Sequence, residues 1–248
     1  MAEPEATHEG QGDNQGKIRE LNTSIRSFYN AISTATTTEF ETYCNDIYTD
    51  WVGEDEEAFE KKVSGALKTF LDNCALVVNE TQKFIAGSGD AWVQWHQNLA
   101  TQIDASYAGG AGTEAMEIEL VAAPEEIQVQ HSGGSYDEVN RGLQSDQATN
   151  NITTKTETLL QNINASINPE ELSAEAAFIG TSQSSQINTL LLGISEHFGS
   201  MSDSIKTILT EDVQTIATGY TEQAEAIGSS AAEGEATIRE ASGETEGN

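Results

Sequence analysis

Basic side chains are scarce. Eleven lysines and arginines stand against 41 aspartates and glutamates, a formal charge of −30 over 248 residues. A chain this acidic offers no basic face to phosphate, which excludes DNA and RNA as partners. It is equally repelled by an anionic membrane surface. Prolines number three and aromatics make up 6%. That poverty, beside abundant Ala, Ser, Thr, Gln and Glu, argues for long helices and against a many-stranded β fold. Two cysteines, Cys44 and Cys74, are too few for a disulfide framework. No run approaches the roughly 18 apolar residues of a transmembrane helix, so no membrane span is expected. Residues 1–16 are polar and acidic, without the basic and apolar regions of a Sec signal peptide.

Catalytic and metal-binding patterns are missing as well. His8, His96, His131 and His197 have no metal-ligand spacing with each other or with cysteine. Carboxylates are so common that a pair of them says nothing about acid–base work. No glycine-rich loop opens a helix with a phosphate-binding lysine. The expectation is a protein that is not an enzyme and takes no metal or cofactor.

What is present is organisation. Three acidic, glycine-rich stretches, 1–16, 108–136 and 228–248, read as a disordered tail, a linker and a second disordered tail. Between them lie two blocks of equal length, 17–107 and 137–227, which points to an internal duplication. In the first, Ile18, Leu21, Ile25, Phe28, Ile32, Phe40, Tyr43 and Ile47 fall mainly at three- and four-residue steps, a narrow apolar stripe on a helix. A bend follows at 51–53. A second stripe then runs through Phe59, Val63, Leu67, Phe70, Cys74, Val77, Phe84, Trp92, Trp95, Leu99 and Ile103. Glu54, Asp55, Glu56 and Glu57 suit the positive end of that helix.

The second block repeats the plan. Val139, Leu143, Ile152, Leu159, Ile163 and Ile167 form one stripe, with Thr156 filling one of its turns. Asn168-Pro169 marks a break and restart, and 178–180 a turn. Beyond it Ile187, Leu191, Ile194, Phe198, Met201, Ile205, Ile208, Val213, Ile216, Tyr220 and Ile227 make a nearly continuous heptad seam. One hairpin with stripes this narrow cannot bury its own apolar faces. Two facing each other can, so the expected fold is all-α, an intramolecular four-helix bundle of two helical hairpins.

Trp51-x-Gly53, followed by acids and by Phe59 six positions after the glycine, between two amphipathic helices, resembles the WXG family. These are helical-hairpin proteins exported by type VII (ESX) secretion systems of Gram-positive bacteria, usually as dimeric four-helix bundles. The resemblance covers most of residues 17–107. Phe178-x-Gly180 looks like a diverged copy of the motif in the second block, its phenylalanine plugging a bundle end as the tryptophan would. The chain is therefore similar to a WXG heterodimer written as one polypeptide. The resemblance implies antiparallel packing of the hairpins, with Trp51 near Tyr220. The linker would then travel about 45 Å, the length of about 30 helical residues, and its 29 residues reach about twice that when extended, whereas a parallel pairing would need only a short loop. Within it, Met116-Glu-Ile118-Glu-Leu120 and Ile127-Gln-Val129-Gln alternate at period two. They pair as a short β element or lie extended along the bundle as a strap.

The family also implies Tyr-x-x-x-Asp/Glu after the last helix as part of an export signal. Here Tyr220 is followed at that spacing by Ala224, with the acid at Glu225, and Tyr107 by Ala111. The expected function is a secreted, non-catalytic type VII substrate, an effector or co-secreted adaptor that engages the secretion ATPase. It would be cytoplasmic before export and monomeric, because the fusion supplies both hairpins. The alternative is an intracellular helical-bundle adaptor. Cys44 and Cys74 fall about 14 residues, roughly 20 Å, apart along a straight hairpin. A disulfide needs Cα atoms within about 7 Å, so two buried free thiols are expected. The charge also suggests adaptation to high salt.

Overall fold

A computed structural model describes residues 9–51, 54–103, 116–129 and 145–242. Five helices account for nearly all of them: α1 (Glu9–Tyr48), α2 (Glu54–Ile103), α3 (Ser145–Ser166), α4 (Glu170–Ile179) and α5 (Thr181–Ser242). The protein is all-helical, with the helices packed against one another. α1 packs on α2, α3 and α4, and α5 packs on the same three.

The contacts run in descending register. Gln82 donates to the Asn22 carbonyl (3.3 Å), whereas Tyr29 donates to that of Leu71 (3.4 Å). Asn162 donates to Glu39 (2.7 Å), and the Tyr43 hydroxyl meets that of Thr156 (2.9 Å). Between α2 and α5, Lys62 pairs with Asp212 (2.8 Å), and the Phe70 and Phe198 rings stand edge to face at 6.1 Å.

The stripe on α1 is buried from Ile18 to Ile47 at every apolar position the periodicity selects. On α2 the expected stripe fails after Cys74. Val77 is half-buried and Phe84 is 49% exposed, while Val78 and Ile85 are fully buried in their place. The positions 63, 70, 77 and 84 repeat by sevens, and a straight α-helix rotates such a series by about 20° per heptad. By Phe84 the series has turned out of the core.

Three boundaries depart from the compositional reading. α1 begins at Glu9, inside the stretch assigned to a tail, and α5 continues to Ser242, through most of the stretch 228–248. In the latter, Ala and Glu are strong helix formers, so the backbone holds a helix although residues 228–237 are exposed all round. Pro169 sits at the N-cap of α4, one residue before the expected first helical position. The α4–α5 turn is a single residue. Gly180 (φ 159°, ψ 175°) donates to the Ala176 carbonyl (3.1 Å) and accepts from the Ser184 amide (3.0 Å). Backbone in that region is nearly confined to glycine.

Residues 116–129 contain no strand, so the β element is replaced by its alternative, an extended strap. Its main chain is bonded by helix side chains instead of a second strand. The Met116 amide donates to Asp90 (3.1 Å), Asn79 both accepts from and donates to the main chain of Val121 (2.9 and 2.8 Å), and Ser64 donates to the Ile127 carbonyl. Twenty-six helical residues from Ser64 to Asp90 span about 39 Å. Eleven extended steps from Met116 to Ile127 span about 36 Å. The strap thus retraces α2 in the opposite direction, with Met116, Val121 and Ile127 buried.

Candidate functional site

The bend between α1 and α2 is the candidate site. α1 ends in hydrogen bonds from the Asp50 and Trp51 amides to the Ile47 carbonyl, both 2.9 Å. Trp51 turns inward, 8% exposed, with its ring 5.5 Å from that of Phe59 one turn into α2. The tryptophan therefore closes the end of the apolar layer between α1 and α2. Gly53 lies outside the described residues.

Lys155 of α3 clamps this bend. Its ammonium pairs with Asp50, a carboxylate only 7% exposed, and donates to the Asp46 carbonyl (2.5 Å) and to the Thr49 hydroxyl (3.3 Å). Lys155 was not selected from the sequence. Its signal was available, because it is the only basic residue in α3.

Beneath the bend lies a buried polar cluster. Glu56 and Glu60, one helical turn apart on α2, are 1% and 0% exposed, beside Tyr43 and Cys44 of α1. Burial pushes the Glu60 carboxyl up to about 9, and the neighbouring Glu56 side chain pushes it further the same way. Glu60 is consequently protonated at neutral pH. Burial also raises the Tyr43 hydroxyl well above its ordinary range, against the opposing bond to Thr156. Here too the sequence held a signal. Glu60 lies in phase with Val63, Leu67 and Cys74, on the apolar face of its helix.

The other expected site residues are not gathered at this bend. Phe178 is 74% exposed, with the Lys17 ammonium 4.3 Å from its ring centroid. It is not packed inward as Trp51 is, because the one-residue turn at Gly180 leaves it on the outer face of a short helix. Phe178 lies beside Lys17, in the N-terminal part of α1, instead. Gln183, three residues past Gly180, donates to Ser88 (3.4 Å), far along α2 from Trp51. Tyr220 lies on α5, and its side chain, like those of Trp92 and Trp95, is outside the described residues.

Cys44 and Cys74 are buried and form no disulfide. Burial raises the Cys74 thiol to about 12, far from a reactive thiolate. No trio of His, Cys, Asp or Glu among the described residues is arranged to hold a metal. None of the described helices is long and apolar enough to cross a membrane. No family model, no curated protein and no solved structure matches the chain.

Proposed function

We propose that this chain is a non-catalytic, WXG-like substrate of a type VII secretion system, a single-chain counterpart of a WXG heterodimer. It leaves the cytoplasm folded, through contact with the secretion ATPase, and acts outside as an effector or co-secreted adaptor. Two antiparallel hairpins, α1–α2 and α3/α4–α5, form one intramolecular four-helix bundle, and the protein is a monomer. The observation that carries this reading is the bend itself. A tryptophan is packed inward between two long amphipathic helices, and Lys155 of the second block holds that bend in place. The descending contact registers support the antiparallel bundle, as does the lack of contact between α1 and α5 among the described residues. A strap that retraces α2 supports it as well, because it returns the chain to the end where an antiparallel second hairpin must begin.

The test is secretion of the wild type beside Trp51→Ala/Gly53→Ala, with and without the type VII ATPase, with circular dichroism to establish folding. The wild type should reach the medium only with the ATPase, and the folded variant should stay inside. A wild type that never leaves the cell points to the intracellular adaptor and ends the export reading.

A further inference from the structure

The strap is held the way a receptor holds an extended peptide. Asn79 bonds both the N–H and the C=O of Val121, Asp90 accepts the Met116 amide, and Gln82 and Ser64 donate to the carbonyls of Glu119 and Ile127. These bonds read main chain and are indifferent to side-chain identity. Side chains contribute separately. Met116, Val121 and Ile127 point into the apolar cluster, while Glu117, Leu120 and Glu126 face out. Gly89 shapes the Met116 position, since a Cβ there would lie 3.1 Å from the Met116 methyl and 3.3 Å from Ile18. Arg26 pairs with Glu119, a charge match set in an otherwise acidic chain.

The strap also leaves its groove incompletely used. Asn22 Oδ1 and Gln82 Oε1 are buried beneath it without a hydrogen-bond donor. A cleft of about 690 Å³ opens beside Met116–Glu119, and Arg19 is among the residues that line it. Twelve residues, 104–115, join the strap to α2, and fifteen, 130–144, join it to α3. Twelve residues reach at most about 40 Å when extended, enough to cross to the groove of an adjacent molecule.

We propose that the α1/α2 groove is an exchangeable peptide site whose partner in trans is residues 116–129 of a second copy of this chain. The occupant is argued from complementarity already present: every bond and pocket that receives the strap in cis is offered unchanged in trans. In cis the tethers hold the strap at an effective concentration of about millimolar. The monomer therefore prevails in dilute solution, and exchange follows at protein concentrations near that value or where the cis strap is weakened. This inference does not depend on the export reading.

Complementation tests it. A strap-broken chain (Val121→Asp/Ile127→Asp) keeps its groove, and a groove-broken chain (Asn79→Ala/Gly89→Leu) keeps its strap. Each alone should give a light-scattering mass of one chain, 26.6 kDa, and an equimolar mixture should give twice that. A mixture that stays at one chain mass, with both variants folded by circular dichroism, overturns the proposal. If a variant fails to fold, two wild-type pools carrying donor and acceptor dyes replace it. Incubated together and measured at about millimolar concentration, they should show energy transfer that an excess of synthetic peptide 114–130 abolishes. No transfer, or transfer insensitive to the peptide, also overturns it.

Discussion

Replacing Glu60 with glutamine should remove a pH dependence that one buried carboxyl imposes on the whole fold. The folded-state value lies near 9 against 4.5 for an ordinary glutamate, so the native protein keeps a proton that the unfolded chain releases. Stability is then full below pH 4.5 and erodes as pH rises towards 9, at about 1.4 kcal/mol per unit. Between pH 5.5 and 7.5 the wild type should lose about 2.7 kcal/mol from this group, whereas the neutral glutamine isostere loses none. Urea unfolding followed by far-ultraviolet circular dichroism at pH 5.5, 6.5 and 7.5 gives the comparison. The quantity to read is the variant's advantage over wild type, in which the titration of exposed carboxylates cancels. Tyr43 and Cys44 face Glu60 from α1, and Glu56 and Glu57 stand beside it on α2. Burial is the larger cause, so Glu56→Gln should reduce the slope without abolishing it. An advantage of Glu60→Gln that stays constant across the three pH values would refute the reasoning.

Other perturbations separate the remaining contributions. Gly180→Ala forces a side chain into the φ 159° conformation of the one-residue turn and should cost about 1–3 kcal/mol, read as a fall of several degrees in Tm. Lys155→Ala removes the ammonium paired with the buried Asp50 carboxylate and should cost about 1–3 kcal/mol. Lys83→Ala breaks only an exposed pair with Glu80 and should cost under about 0.5 kcal/mol, so equal losses in urea unfolding would contradict the clamp. Tm should rise as NaCl goes from about 0.1 M to 1 M, because the Debye length shrinks from about 10 Å to 3 Å around a chain of formal charge −30. A flat or falling Tm would show that self-repulsion is not a governing term.

How much of this was legible beforehand depends on the physics of each element. The α1 stripe was fully readable, since one helix face alternates at three and four residues from Ile18 to Ile47 and is buried throughout. The α2 stripe was readable only to Cys74, because sevenfold spacing cannot follow a straight helix indefinitely. Composition misplaced both helix ends, Glu9 and Ser242, since acidity and glycine content describe solubility better than backbone propensity. Trp51 at the bend was identified from its motif. Lys155 and Asp50 were not, because an ion pair more than a hundred residues apart leaves no periodic trace. Phe178 misled for a related reason. A triplet that matches in sequence does not carry the burial of its counterpart when the turn is one residue long. The alternation at 116–129 signalled an extended chain but not its partner, which proved to be helix side chains.

The length of α5 has a consequence for how the molecule moves through solvent. At 62 residues the helix is about 93 Å from end to end. A compact chain of this size has a radius of gyration of about 18 Å, whereas a thin rod of that length alone has about 27 Å. The exposed stretch 228–237 extends the particle and adds drag while adding almost no mass. The protein should diffuse and sediment slowly for 26.6 kDa, and elute from a sizing column calibrated with globular standards in the position of a larger species. A single chain would thus present the Stokes radius of a pair. Truncation after Ile227 should move the elution volume much more than it changes the mass.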